Sequence, residues 1–264
     1  MPGRAAEQRK NRWGWCSGLL PTKSRPCGSP RSSAGTGRES AGGLRKRFST
    51  CSGAISQENL WLSEGNGRLV LRTFIAIQLS AELKRHISDL QAEFKRQAPE
   101  LRGLSWVNPE GIHLTLRFLG DIEESQVEAI TSLLWTAAAP IGTFRLEARG
   151  LGGFPTPQRM RVLWVGLSGD AEATTALQRL QATIEDGLVG IGFAREERAF
   201  TPHLTVARIK ERGAAGPLAR LVMKEKDRML GELRAGSVAL IKSELRPKGA
   251  VYTSLVEVPF GLQV

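Results

Sequence analysis

Cysteine is nearly missing from this 264-residue chain: Cys16, Cys27 and Cys51 are its three, and none follows Ser52. The long stretch beyond them therefore lacks a disulfide framework, a thiolate metal site and a cysteine nucleophile. That fits a reducing, cytoplasmic setting. No apolar run approaches the roughly 18–20 residues that span a bilayer, so no membrane association is expected. Acidic residues are scarce near the start, where 12 Lys+Arg face 4 Asp+Glu over residues 1–70. The remaining 194 residues carry 25 against 22, so the net charge of +11 belongs mostly to the N-terminal segment. A remainder this mildly basic gives little support by itself for a nucleic-acid partner. Histidine is rare as well, with three in the chain.

Residues 1–69 are rich in Gly, Ser and Arg and show no periodic apolar pattern. Such a segment cannot bury enough surface to offset its ordering entropy, and it is expected to be a disordered extension. Its Arg- and Ser-rich, acid-poor character also suits an organelle transit peptide, while a secretory apolar core is not seen.

From residue 70 the elements are legible. Leu71–Leu79 is an apolar strand, and Ser80 caps a helix that turns Leu83, Ile87, Leu90 and Phe94 inward until Pro99. Trp106 and Val107 form a short extended piece. A strand from His113 to about Leu119 is broken by Gly120-Asp121. A second helix buries Val127, Ile130, Leu134 and Ala137, and Pro140 stops it. Strands follow at Thr143–Ala148 and Val162–Leu167, with a Gly/Pro/Arg loop over Gly150–Arg161 between them. Asp170 caps a third helix with Leu177, Leu180, Ile184 and Leu188 inside. A strand over Ala199–Ile209, a fourth helix over Gly216–Met229 and a closing strand pair at Val238–Leu245 and Tyr252–Val258 complete the chain. The order strand–helix–strand–helix–strand occurs twice. This predicts an α+β fold of two similar lobes.

Two of the three histidines share one frame: His113-Leu114-Thr115-Leu116 and His203-Leu204-Thr205-Val206. With 15 Thr in 264 residues, composition alone would give this roughly once in a hundred chains. On a strand, His and Thr at i and i+2 share one face about 7 Å apart, while the leucines enter the core. Two imidazoles facing one cleft suit general acid–base catalysis near neutral pH, and flanking hydroxyls suit a bound phosphate. By strict alternation Arg117 shares the face of His113. Arg208 lies at an odd offset from His203 and reaches the cleft only if the strand bulges or ends there. Arg149, Arg159 and Arg161 can line a path for RNA phosphates, and Trp106 and Phe154 can stack on a base. His86 has no such frame and reads as a surface or rim residue. Two histidines without a neighbouring ligand cluster are too few for a zinc site, so no metal and no cofactor is expected. The glycines Gly150, Gly152 and Gly153 are not followed by Gly-Lys-Ser/Thr and make no phosphate loop.

The paired frames, together with RTFIAIQL, FPTPQRMRVLWVGL and SELRPKGAVYTSLVEVPF, resemble the two-histidine phosphoesterases. Within that superfamily they are most similar to the RNA 2′,3′-cyclic phosphodiesterases, also called the 2′-5′ RNA ligase or LigT-like family. The resemblance covers nearly all of residues 71–264. It implies a bilobal fold with pseudo-symmetric lobes of antiparallel sheet, helices outside and a central cleft. It further implies metal-independent hydrolysis of an RNA-terminal 2′,3′-cyclic phosphate to a 2′-phosphate, with His113 as proton donor and His203 as proton acceptor. Thr115, Thr205 and Arg208 would hold the phosphate, with Arg117 a further candidate. RNA ends, tRNA fragments among them, are the expected partners of a monomer. RNA 2′-5′ ligation and non-catalytic binding of RNA ends in the same cleft remain open at this point.

Overall fold

The computed structural model describes residues 69–97, 103–210, 215–247 and 249–261. Residues 1–68, with all three cysteines, and Pro99 lie outside them, so the expected extension and its transit reading do too. The described residues all belong to one compact unit, Asn59–Val264.

Among the described residues, nine strands form a single sheet: β1 (Val70–Gln78), β2 (Leu104–Trp106), β3 (His113–Glu123), β4 (Phe144–Phe154), β5 (Val162–Ser168), β6 (His203–Ile209), β7 (Met229–Ala235), β8 (Ser237–Arg246) and β9 (Gly249–Pro259). Four helices accompany it: α1 (Ala81–Gln97), α2 (Val127–Ala138), α3 (Ala171–Gly190) and α4 (Ala215–Lys224). The strand order is β7-β4-β5-β6-β3-β1-β8-β9, with β2 beside β6, and every pair is antiparallel. The fold is α+β, as expected. The repeat β1-α1-β3-α2-β4 is matched by β5-α3-β6-α4 and the strands after it. The halves of the sheet do not follow that division, however. β4 leaves the first repeat to pair with β5, and β8 leaves the second to pair with β1. Each half of the sheet is thus completed from the other repeat, by β4 in one and by β8 and β9 in the other.

The helices build one layer. Ser80 Oγ accepts the Leu83 amide at 3.3 Å and Asp170 Oδ1 accepts that of Ala173 at 2.8 Å, so both helices start where a cap satisfies orphan donors. Leu83, Ile87, Leu90 and Phe94 of α1, Ile130 and Leu134 of α2, and Leu177, Leu180, Ile184 and Leu188 of α3 are buried in one core. Ile75, Ile77, Leu114, Leu116, Leu204 and Val206 enter that core from the central strands. Phe74, Ala76, Ala239 and Ile241 form a separate small cluster, on the sheet face opposite the helices.

Three elements depart from the expectation, each for a local reason. Gly120 sits at φ +75° and absorbs an irregularity, so β3 continues to Glu123 instead of stopping. β4 runs through the glycines to Phe154, because a strand beside Trp164 and Met160 has no room for side chains. A Cβ on Gly152 would run into the Trp164 ring, and one on Gly153 would stand 2.5 Å from Met160 Cβ. The expected fourth helix ends at Lys224, a turn over residues 225–228 follows, and Met229 opens the strand β7, whose Leu230, Leu233 and Ala235 are buried.

Both motif strands carry a bulge directly after the threonine. Along β3 the partners on β1 shift between Thr115 and Arg117; along β6 those on β5 shift between Thr205 and Ala207. Such an extra residue inverts the alternation beyond it. At the β6 bulge the Val206 carbonyl is held by the Val107 amide at 3.0 Å and by Gln91 Nε2 of α1 at 3.1 Å. Gln91 also donates to the Val107 carbonyl at 2.8 Å and is 3% exposed. Gln91→Leu should therefore lower stability by about 1–3 kcal/mol, because a buried carbonyl loses its donor. Gln97→Leu at the exposed end of α1 should stay within about 0.5 kcal/mol. Urea unfolding of the two variants beside the parent checks this, and equal midpoints would overturn it.

Candidate active site

One residue pair joins the two halves of the sheet at its centre: Leu114 of β3 opposite Leu204 of β6. Antiparallel pairing extended one residue each way sets His113 across from Thr205 and Thr115 across from His203. All four side chains lie on the face opposite the two buried leucines, with cross-strand neighbours about 4.5–5.5 Å apart. β1 and β5 widen the rows with Gln78 beside His113 and Trp164 beside Thr205. The sequence frames are therefore one constellation. Each imidazole has the other motif's hydroxyl as its neighbour.

The histidines are oriented alike. His113 Nδ1 is 2.8 Å from the Gly111 carbonyl, and His203 Nδ1 is 2.7 Å from the Thr201 carbonyl. A carbonyl oxygen only accepts, so each Nδ1 carries the proton and each Nε2 keeps a free lone pair. Burial pushes the His113 imidazole down from 6.5 to about 4; the Gly111 carbonyl opposes this and His203 adds to it. Burial also holds His203 below its usual value, opposed by the Thr201 carbonyl and reinforced by the Arg208 guanidinium. Both imidazoles are thus neutral at pH 7 in the ligand-free cleft.

Aromatic rings that the sequence did not single out enclose His113. Phe74 stacks on it at 4.3 Å and 20°, and Tyr252 meets its edge at 5.3 Å and 89°. Tyr252 comes from β9, more than a hundred residues away in sequence, so no local pattern reveals it. A Cβ on Gly111 would touch the Tyr252 ring at 2.9 Å, which explains the glycine there. A cavity of about 120 Å³ opens beside His113, lined among others by Gln78, Lys84, Tyr252 and Ser254. On the other side, Phe154 is edge-on to His203 at 5.0 Å and Trp164 lies 6.5 Å away.

The bulges decide the arginines. Beyond Val206 the inverted alternation buries Ala207 and turns Arg208 outward, close enough for its charge to depress His203. Beyond Leu116 the same inversion turns Arg117 away from the cleft, against the expectation from strict alternation. Arg117 instead pairs with Glu185 and Glu196, each at 3.1 Å. Phe118 takes the place on the cleft face that Arg208 has in the second strand; it is 46% exposed, with the Arg72 guanidinium 4.8 Å from its ring centre.

Among the other candidates, Phe154 reaches the site and Trp106 does not. Trp106 pairs with the buried Ala207 and carries the Lys95 ammonium 5.5 Å from its ring centre. Arg149 is held by the Asp227 carbonyl and by Glu147. Arg159 and Arg161 are exposed on the loop beside the end of β6. His86 packs against Gly231 of β7, outside the constellation. Among the described residues, no three or more His, Cys, Asp or Glu side chains cluster closely enough to hold a metal ion. No helix among them is long and apolar enough to cross a membrane.

Comparison with known proteins agrees with this architecture. An RNA 2′,3′-cyclic phosphodiesterase of Methanothermobacter thermautotrophicus is 33% identical over 185 residues, 70% of this chain and 96% of its own length. One from Aquifex aeolicus is 33% identical over 195 residues, 73% of this chain and 98% of its own. The crystal structure of TT0787 of Thermus thermophilus superposes with a TM-score of 0.60 at 27% identity, covering 72% of this chain and 98% of that one. Escherichia coli LigT complexed with 3′-AMP shares the fold with a TM-score of 0.58 at 23% identity, covering 73% and 99%. The family model of LigT-like phosphoesterases matches residues 77–164 and 168–252, each segment holding one His-x-Thr strand, and the chain belongs to that family.

Proposed function

We propose that this chain hydrolyses the 2′,3′-cyclic phosphate at an RNA end to a 2′-phosphomonoester, by acid–base catalysis without a metal. One observation carries the reading: two imidazoles with the same fixed tautomer, each presenting Nε2 beside the other motif's threonine. The RNA 2′,3′-cyclic phosphodiesterases that the chain is similar to support the substrate class.

The roles follow from the surroundings. A guanidinium beside His203 favours its neutral form, so His203 is the base that takes a proton from the attacking water. Arg208 stands beside His203, so His113 is the imidazole left to carry the proton once an anionic phosphate is bound, and it is the acid that protonates the leaving 3′ oxygen. The water oxygen bonds to phosphorus as the bond to the 3′ oxygen breaks. Thr115, Thr205 and Arg208 hold the non-bridging oxygens. The terminal ribose then lies on the His113 side, next to the cavity there. The phosphodiester supplies the missing charge, since an anion between the two rings raises the proton affinity of both.

Incubating the full chain with a short RNA bearing a 2′,3′-cyclic phosphate, with EDTA present, should yield a 2′-phosphate. His113→Ala and His203→Ala should each lower kcat by ~10²–10⁴-fold. Full activity of either variant would overturn the mechanism. A bound but intact RNA would indicate end binding, and 2′-5′ joined products would indicate ligation.

The pH dependence separates free from loaded enzyme. Both free imidazoles titrate below 6.5, so the singly protonated pair is most abundant on the acid side of that value. The profile of kcat/KM should therefore peak below pH 6.5. The kcat profile should peak at higher pH, because bound phosphate raises both imidazoles. A kcat/KM optimum above pH 7 would contradict the assignment.

A further inference from the structure

Arg117 follows the first motif directly, yet its side chain serves the approach to the second. The side chain is 12% exposed. Its Nε lies 3.1 Å from Glu185 of α3, its Nη1 donates to Glu196 at 3.1 Å, and its Nη2 donates to the Ala194 carbonyl. Glu185 Oε1 in turn accepts the Glu196 amide at 2.7 Å. Ala194 and Glu196 belong to residues 191–202, a segment without helix or strand that runs directly into His203. Backbone bonds hold its two ends, from the Phe193 amide to the Leu188 carbonyl at 2.9 Å and from the Leu167 amide to the Pro202 carbonyl at 3.2 Å, and between them the Arg117 and Glu185 side chains hold Ala194 and Glu196. Near its end, the Thr201 carbonyl accepts the His203 Nδ1 proton.

We propose that Arg117 is a positioning residue for His203. Through Ala194, Glu196 and Glu185 it fixes the segment whose Thr201 carbonyl sets the tautomer and aim of that imidazole. The proposal rests on His203 being the proton-accepting group. A guanidinium suits the task because its N–H groups diverge in one rigid plane, here donating to the Glu196 carboxylate and the Ala194 carbonyl with the Glu185 carboxylate alongside as an ion-pair partner. A lysine keeps the charge but offers a single ammonium. The device is one-sided. The residue matching Arg117 in the second strand is Ala207, and the Gly111 carbonyl that holds His113 sits in a short helical turn, Pro109–Gly111, capped by Asn108. His113 therefore needs no equivalent clamp.

The test compares the full-length chain with Arg117→Lys, Arg117→Met/Glu185→Gln and His203→Ala. Steady-state kinetics use an RNA ending in a 2′,3′-cyclic phosphate, and ¹⁵N imidazole NMR follows the two Nδ1 protons. Arg117→Lys should lower kcat about tenfold or more with KM within about twofold, since a small misplacement of a reacting group is costly. The His203 Nδ1–H signal should broaden or vanish while that of His113 persists. A tenfold rise in KM at unchanged kcat would make Arg117 a phosphate ligand and overturn the proposal. Parent-like kinetics with both signals intact would overturn it too, and so would equal loss of both signals. If the lysine variant does not fold, the double variant, which removes cation and matching carboxylate charge together, carries the same expectations. Turnover by His203→Ala would instead remove the reading of the site itself. An inactive His203→Ala beside a parent-like Arg117→Lys removes the clamp alone.

Discussion

The contact of Leu114 with Leu204 is the constraint on which the rest of the site depends. It is the one place where the two motif strands pair, and both side chains are wholly buried. Register in a sheet is quantised by the two-residue side-chain period, and a slip of either strand by one residue would expose its leucine and bury its histidine. The apolar core therefore fixes a polar geometry. Burying the leucines on the helix side obliges His113, Thr115, His203 and Thr205 to share the other side, in diagonal pairs.

From that centre the two motifs diverge by the same device used to different ends. A bulge after each threonine hands the next positions to opposite faces. In β6 this buries a small alanine and offers Arg208 to the cleft, while the displaced Val206 carbonyl is satisfied from α1 by Gln91. In β3 it offers Phe118 to the cleft and sends Arg117 inward, where Glu185 and Glu196 meet it. An arginine turned inward without those carboxylates would be a buried, unpaired charge, far costlier than the pairing recovers. The bulge in β3 and the acidic residues of α3 and the following segment thus require each other. Near-identical strands yield an asymmetric site, with a cation on the His203 side and aromatic rings on the His113 side.

Much of this was legible in the sequence. Helix faces such as Leu83, Ile87, Leu90 and Phe94 declare themselves at a period of 3.6, and the caps Ser80 and Asp170 mark where two helices begin. The doubled His-x-Thr frame pointed to one site because strand alternation is a local property. Alternation also misplaced Arg117, since the bulge that redirects it depends on partners in β1 and α3. The parity conflict at Arg208 was visible as a conflict, and its resolution by a bulge depends on Gln91, distant in sequence. β4 was cut short at its glycines, because the reason for them is Trp164 on the next strand. The crossing of β4 and β8 between halves left no local trace. What sequence reading lacks in each case is the identity of the cross-strand neighbour.

The electrostatics of the cleft place a demand on its ligand. Acid–base catalysis with two imidazoles requires one proton shared between them, yet burial holds both neutral at pH 7. An exposed pair would hold that proton more readily but would also be screened by water and counterions. Here the proton becomes favourable when an anion enters the low-dielectric site, because attraction to it replaces the hydration lost by burial. A neutral ligand of the same shape provides no such compensation. In the proposed reaction the catalytic protonation state is therefore coupled to the charge of the ligand, and the burial that suppresses the free imidazoles would favour an anionic ligand over a neutral one. Phe74 and Tyr252, by enclosing His113, deepen its desolvation. The two imidazoles stay neutral until an anion beside them raises their proton affinity.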